Sequence, residues 1–191
     1  MRYKPGHKAK IHNTIVSDAS HRFRSEGVGG PGVASLMRDA GLTHGGFYKH
    51  FRNKNELLVE AAAEAFRDMG ARLLHVAEQA PPVEPWKAIV TEYLSPDHCE
   101  HPGAGCPLAA LAPELARMNR SLKKRLSAGM RAYKDTLVPL MPGGNARERE
   151  RAFFLIFSTM IGSIEIARMI PDPAAREQLL RNTRSFLLGS F

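Results

Sequence analysis

Cysteine and tryptophan are scarce in this 191-residue chain, with two of the first and one of the second. So little cysteine excludes a disulfide-stapled secreted fold. Internal repeats and low-complexity segments are missing, which removes solenoids and long linkers. No apolar run follows the basic N-terminus, so no secretory signal is expected. The longest apolar run, 152–164, stops at Glu165 and falls short of the ~20 residues that cross a bilayer. No stretch alternates cleanly enough to be a strand. A Walker-type phosphate loop, a Gly-x-Ser-x-Gly elbow and a His-Glu-x-x-His helix are also lacking, and the glycine-rich segment 27–32 follows no strand. The expectation is an all-α cytoplasmic protein that is not an enzyme, holds no cofactor and does not enter a membrane.

What the chain has is charge, unevenly placed. Its net charge is +8, and residues 1–54 hold ten Lys/Arg against Asp18, Glu26 and Asp39. That end therefore carries +7 and the other 137 residues +1. Such a concentration is the footprint of a phosphate-binding module.

The same end carries the most informative pattern. Ile11, Ile15, Ala19 and Phe23 recur every four residues, giving one apolar helix stripe that Gly27 closes. A short helix over 33–40 follows, with Leu36 and Met37 inward. Gly41 supplies the left-handed backbone of a tight turn. Thr43 stands at an N-cap position before about two helical turns ending near His50. Asn53 caps the next helix, with Glu56 placed to complete a capping box. Phe23, Phe47 and Phe51 are expected in the core of this three-helix unit. A helix-turn-helix of this kind sets its second helix in the DNA major groove.

Gly41-Leu42-Thr43, Phe47-Tyr48-Lys49-His50-Phe51 and Lys54-Asn55-Glu56-Leu57 together resemble the DNA-binding end of the TetR family of bacterial transcriptional repressors. The resemblance covers about a quarter of the chain. It implies a DNA-binding domain at 1–54 and a larger helical effector-binding and dimerisation domain at 55–191. It also implies a double-stranded operator, a homodimer and a small-molecule effector as partners. Tyr48, His50 and Lys54 would then meet phosphates, which position without specifying sequence. Thr43 and the helix start are candidates for a further phosphate, and His44 and Lys49 for base edges. Gly45 and Gly46 each cost about 1 kcal/mol of helix stability relative to Ala. They either bring the backbone close to the groove or are simply tolerated.

Helical punctuation continues through the body. One long helix is expected over 53–79, stopped by Pro81-Pro82, and others over 84–94, 107–118, 121–140 and 146–170. A last helix follows Pro173, and 95–105 reads as a loop. The 146–170 segment is apolar almost all round and should be buried all round. A homodimer through the last two helices explains this, with Phe157, Ser158, Ile161, Gly162, Leu180 and Phe186 at its interface. The alternative is the central helix of a monomer.

Two further constellations stand out. Phe66, Met69, Leu73, Trp86, Tyr93, Leu108, Leu111, Met118, Tyr133, Phe154 and Phe157 are candidates to line an effector pocket, or else ordinary core. Cys106, just ahead of a helix whose dipole lowers a thiol pKa, is a redox candidate with Cys99 as partner. Packing as small apolar residues is the plainer reading of both. His98, Cys99, Glu100, His101 and Cys106 lack metal-finger spacing, so no metal is assigned. Glu165 and Arg168, one turn apart, are expected to pair with each other or across the dimer, the alternative for Glu165 being a cationic ligand. The leading function is an effector-released repressor. A constitutive architectural DNA binder and a cysteine-dependent enzyme using Cys106 and His101 are the alternatives.

Overall fold

The computed structural model describes residues 6–81 and 84–191, all helix and connection with no strand among them. Helix α1 (His7–Glu26) ends at Gly27, whose φ of 77° only glycine adopts cheaply. Helix α2 (Val33–Asp39) is followed by Gly41 at φ 71°, which turns the chain so that Leu42 N–H donates to Met37 O at 2.7 Å. Phe23, Leu36, Met37, Phe47 and Phe51 then close one core with Ile15 and Ala19, as their spacing requires.

The second helix of the motif differs from expectation. Residues His44–Lys49 form a 3-10 helix rather than two α turns, and the Thr43 hydroxyl makes no cap hydrogen bond. Gly45 and Gly46 contribute no helix propensity, and six residues are too few to offset a costly nucleus. Anchoring of Phe47 in the core fixes the segment instead.

Helix α3 (Lys54–Glu78) begins as the sequence indicates, with Asn53 Oδ1 accepting from Glu56 N–H at 3.0 Å. Its carboxylate does not complete the capping box. Glu56 is held by the two terminal nitrogens of Arg125, at 2.6 and 2.9 Å. Asn53→Ala should cost about 1 kcal/mol, read as a lower urea midpoint at unchanged slope. At 1.5 Å per residue α3 is roughly 37 Å long and crosses the expected boundary between 54 and 55. Leu57, Leu58, Ala61 and Ala62 belong to the first core, and Phe66, Met69, Leu73 and Ala77 to the second. Pro82, the second half of the expected stop, lies outside the described residues.

Residues 95–105 are more ordered than a loop. Ser95 Oγ accepts from His98 N–H, Pro96 occupies the first turn, and α5 (Pro96–Glu100) runs into a 3-10 turn at Pro102–Ala104. Helix α4 (Pro85–Tyr93) precedes it; α6 (Pro107–Ala116), with Pro113 inside, and α7 (Arg120–Leu137) follow. Asn145 and Asp172 cap the last two helices, α8 (Ala146–Met169) and α9 (Pro173–Ser190).

Helix α8 is not buried all round within the chain. Phe153, Ile156, Phe157, Met160, Ile164 and Ala167 face the body. On its other side Phe154, Leu155, Ile166 and Met169 are 54, 48, 56 and 81% exposed. By length and composition this helix would also qualify to cross a membrane, longer than the apolar run alone suggested. Its core face, packed on α9, α6 and α4, is what a helix of a folded body requires.

Candidate nucleic-acid interface and the helical body

The 3-10 helix presents Thr43, His44, Gly45, Tyr48 and Lys49 to solvent while Phe47 roots it. Tyr48 is 65% exposed, and its ring meets His44 and Phe47 edge-on. A concavity of about 670 Å³ lies between the start of α1 and this helix, lined by His7, Lys8, Ile11, Thr43, Gly46, Lys49 and His50, among others. Two lysines and a hydroxyl around one hollow suit an anionic backbone. Lys8 was legible only as part of the charge at this end and His7 carried no signal; that both line one hollow with Lys49 depends on how α1 docks.

Two expected DNA contacts sit differently. Lys54 is half-buried, its ammonium 5.6 Å over the Phe23 ring, and burial lowers its pKa. It does not line the hollow. His50 is also half-buried, with Nδ1 enclosed and without a partner among the described residues; burial chiefly, then His12, Lys8 and Lys49, lower its pKa. It therefore reaches the hollow as a neutral ring.

Most of the expected effector residues are packed core. Met69, Leu73, Trp86 and Tyr93 fill the second core, with Trp86 alone of the four at a cleft, an open one beside Pro139, Leu140 and Phe191, and Leu111 and Met118 pack in the first core. Two open clefts flank Tyr133. One, about 380 Å³, lies between α3 and α7 against Phe66, Gly70 and Gly129. The other, about 450 Å³, lies between α7 and α8 against Leu108, Met130, Phe153, Phe154, Phe157 and Ile161. Of the expected interface residues, Ser158 and Phe186 are exposed and Ile161 and Gly162 half-exposed. Phe157 and Leu180 are buried within the body of the single chain.

The segment from His98 to Cys106 joins three parts of the molecule. Arg24 of α1 is buried and donates to Gly105 O at 2.8 Å. Arg168 of α8 donates to His98 O, Cys99 O and Ala109 O at 2.9, 3.0 and 2.7 Å, in place of the expected pair with Glu165. His98 Nδ1–H donates to Tyr93 O, and Nε2 accepts from Cys106 N–H at 2.9 Å. A Cβ on Gly105 would lie 2.7 Å from the His98 ring, so only glycine allows this approach.

With both nitrogens engaged, His98 is no free ligand or base. Burial first, and Arg168 and Arg72 beyond it, push its pKa down to about 4 from 6.5. Protonation would also aim an N–H at the Cys106 N–H. Stability from this group is complete above pH ~6.5 and is lost as pH falls through ~4, by about 3 kcal/mol at most. Urea titrations at pH 7 and pH 4 should show that loss, and His98→Gln should flatten it.

Cys106 caps α6 as expected, yet its thiol pKa moves the opposite way, upward, because burial outweighs any dipole effect. Cys99 is likewise buried and raised. His101 is exposed and tied to Asp97, away from any nucleophile pairing with Cys106. Both thiols are protonated packing groups in this structure.

Residues 15–61 match the family model described as bacterial regulatory proteins, tetR family. No curated protein sequence matches the chain. Solved structures agree over almost its full length. A TetR transcriptional regulator from Chloroflexus aurantiacus is 23% identical, with 95% of this chain and 96% of that one covered and a TM-score of 0.74. A TetR-family regulator from Cytophaga hutchinsonii is 17% identical, with 99% and 98% covered and a TM-score of 0.74. The regulator FadR from Bacillus subtilis, solved with stearoyl-CoA, is 16% identical, with 94% and 99% covered and a TM-score of 0.70. The basic end thus carries the helix-turn-helix module of the tetR family, continued into a helical body that shares the fold of solved TetR-family transcriptional regulators.

Proposed function

We propose that the chain is a homodimeric, cytoplasmic repressor that leaves a palindromic operator when an apolar effector enters its helical body. The observation that carries this is continuity between the two parts. Leu111, Leu115, Leu122 and Leu126, from α6 and α7, share one core with Phe23, Phe47 and Phe51. Arg24 and Arg125 add polar ties between them. A displacement of α6 or α7 around a ligand therefore reorients the DNA-reading unit. Two such units bind only when their centres lie about 34–36 Å apart along DNA. The effector needs only different affinities for the two arrangements.

Binding of a stearoyl-CoA by the Bacillus FadR supports an apolar ligand in a body of this architecture. The raised, buried thiols do not support the oxidant-released form of the reading. They equally disfavour a cysteine-dependent enzyme.

Fluorescence anisotropy on DNA flanking the protein's own gene, with scrambled DNA as control, tests the proposal. Tight, salt-dependent binding to the flank alone is expected. Equal binding to both would mark an architectural protein, and no binding would end the local-repressor reading.

A further inference from the structure

Tyr93 and Tyr133 bring two hydroxyls into the second core, both fully enclosed and without a hydrogen-bond partner among the described residues. Both interact with the Cys106 thiol, but neither makes a well-formed hydrogen bond to it. Burial holds both well above the ordinary tyrosine pKa, so each remains a donor. An unsatisfied buried hydroxyl is costly, and phenylalanine would pack in its place without that cost. Two on one spot therefore suggest an absent third group.

Its place and chemistry follow from the surroundings. Phe157 lies edge-on to both tyrosine rings, at 5.8 and 5.7 Å, and Phe157 and Tyr133 both line the α7–α8 cleft. The hydroxyl pair thus sits directly behind that cleft's inner wall. The cation that acts on the enclosed Tyr93 hydroxyl is Arg168, committed to three backbone carbonyls, whereas Arg131 and Lys134 line the cleft itself; a carboxylate drawn in as far as the two hydroxyls would go unpaired there. A ligand hydroxyl would bring a further donor in need of an acceptor. A carbonyl oxygen has two lone pairs for two donors and adds no charge. Most of the remaining lining is apolar, led by Phe153, Phe154, Phe157 and Met130, which suit aromatic rings, with Ser127, Ser158, Arg131 and Lys134 as its polar members.

We propose that the Tyr93 and Tyr133 hydroxyls anchor one ketone-type carbonyl oxygen of an otherwise apolar, aromatic effector entering by the α7–α8 cleft. This rests on the reading of the chain as a ligand-responsive regulator, and extends it to a ligand class and an anchor.

The test uses benzophenone and diphenylmethane, which differ by the carbonyl alone; benzophenone has neither an activated alkene nor a leaving group, so cysteine alkylation cannot mimic binding. Calorimetry on the full chain should show benzophenone binding about tenfold tighter or more. Tyr93→Phe and Tyr133→Phe should reduce that preference to about threefold or less. Without ligand, each variant should melt about 2 °C or more above the parent, since an unpaired hydroxyl is gone. Equal binding of the two compounds, or binding of neither, overturns the proposal. So does a lower melting point in both variants, which would mean that a buried water already pairs the hydroxyls. Operator anisotropy on the same preparations scores the regulator reading separately. If specific DNA binding holds while the carbonyl preference is absent, only the anchor fails.

Discussion

Joint replacement of Phe154 and Ile166 by glutamate should convert a dimer to monomers and weaken operator binding at least a hundredfold. Both side chains are more than half exposed on the outer side of α8, as is Met169 and very nearly Leu155, and Phe186 of the neighbouring α9 is exposed as well. Several large apolar side chains exposed on one side of a long helix are the mark of a protein-contact surface. A second copy is the partner that a helix-turn-helix regulator requires, because one recognition unit reads only half a palindrome. Four glutamates facing one another across a two-fold axis would be desolvated without cations. Loss of the second half-site removes an effective-concentration gain of roughly 10²–10⁴. Neither residue belongs to the core, so helicity should be kept while light scattering reports half the mass. A double variant that stays dimeric, or binds the operator like the parent, would sink the idea that this face is the interface.

The elements that the sequence revealed best are those fixed by local chemistry. Gly27, Gly41, Asn53 and Pro173 each set a helix end through their own backbone or side chain, and each stands where its role requires. The Ile15–Ala19–Phe23 stripe likewise needs only a period of four. Features that depend on distant partners were not legible. Glu56 has the right spacing to return to Asn53, but Arg125, sixty-nine residues away, captures it. Glu165 and Arg168 have the right spacing to pair, but three free carbonyls around α5 and α6 claim the guanidinium. Lys54 reads as a phosphate contact until Phe23 is seen beneath it. Sequence also cannot separate a cavity wall from a core, since Met69 and Tyr133 have the same apolar spacing and only one borders a cleft.

Arg168→Met should be the most destabilising single change outside the aromatic core, by about 3 kcal/mol or more. Burial lowers the pKa of this guanidinium, but it remains charged and serves three carbonyls from two segments. Methionine fills most of the volume and leaves those carbonyls partly enclosed and unpaired, at about 1–3 kcal/mol each. For a chain of this length that is roughly a 6–12 °C fall in melting temperature. Lysine should recover little of it, since one ammonium cannot span acceptors that a planar fork reaches in several directions. Arg24→Met removes a single bond to the same segment, at Gly105 O, from the side of the DNA-reading unit. Its effect on melting should be smaller, while its effect on effector response should be larger, because it severs a tie across which the body acts on α1. A calorimetric series of the three variants, paired with operator titrations with and without effector, separates the roles. Equal losses of stability from Arg168→Met and Arg24→Met would mean that the segment 98–106 is held as one block and transmits nothing selectively. An effector response lost in Arg24→Met at nearly parental stability would place the coupling at the Arg24–Gly105 contact.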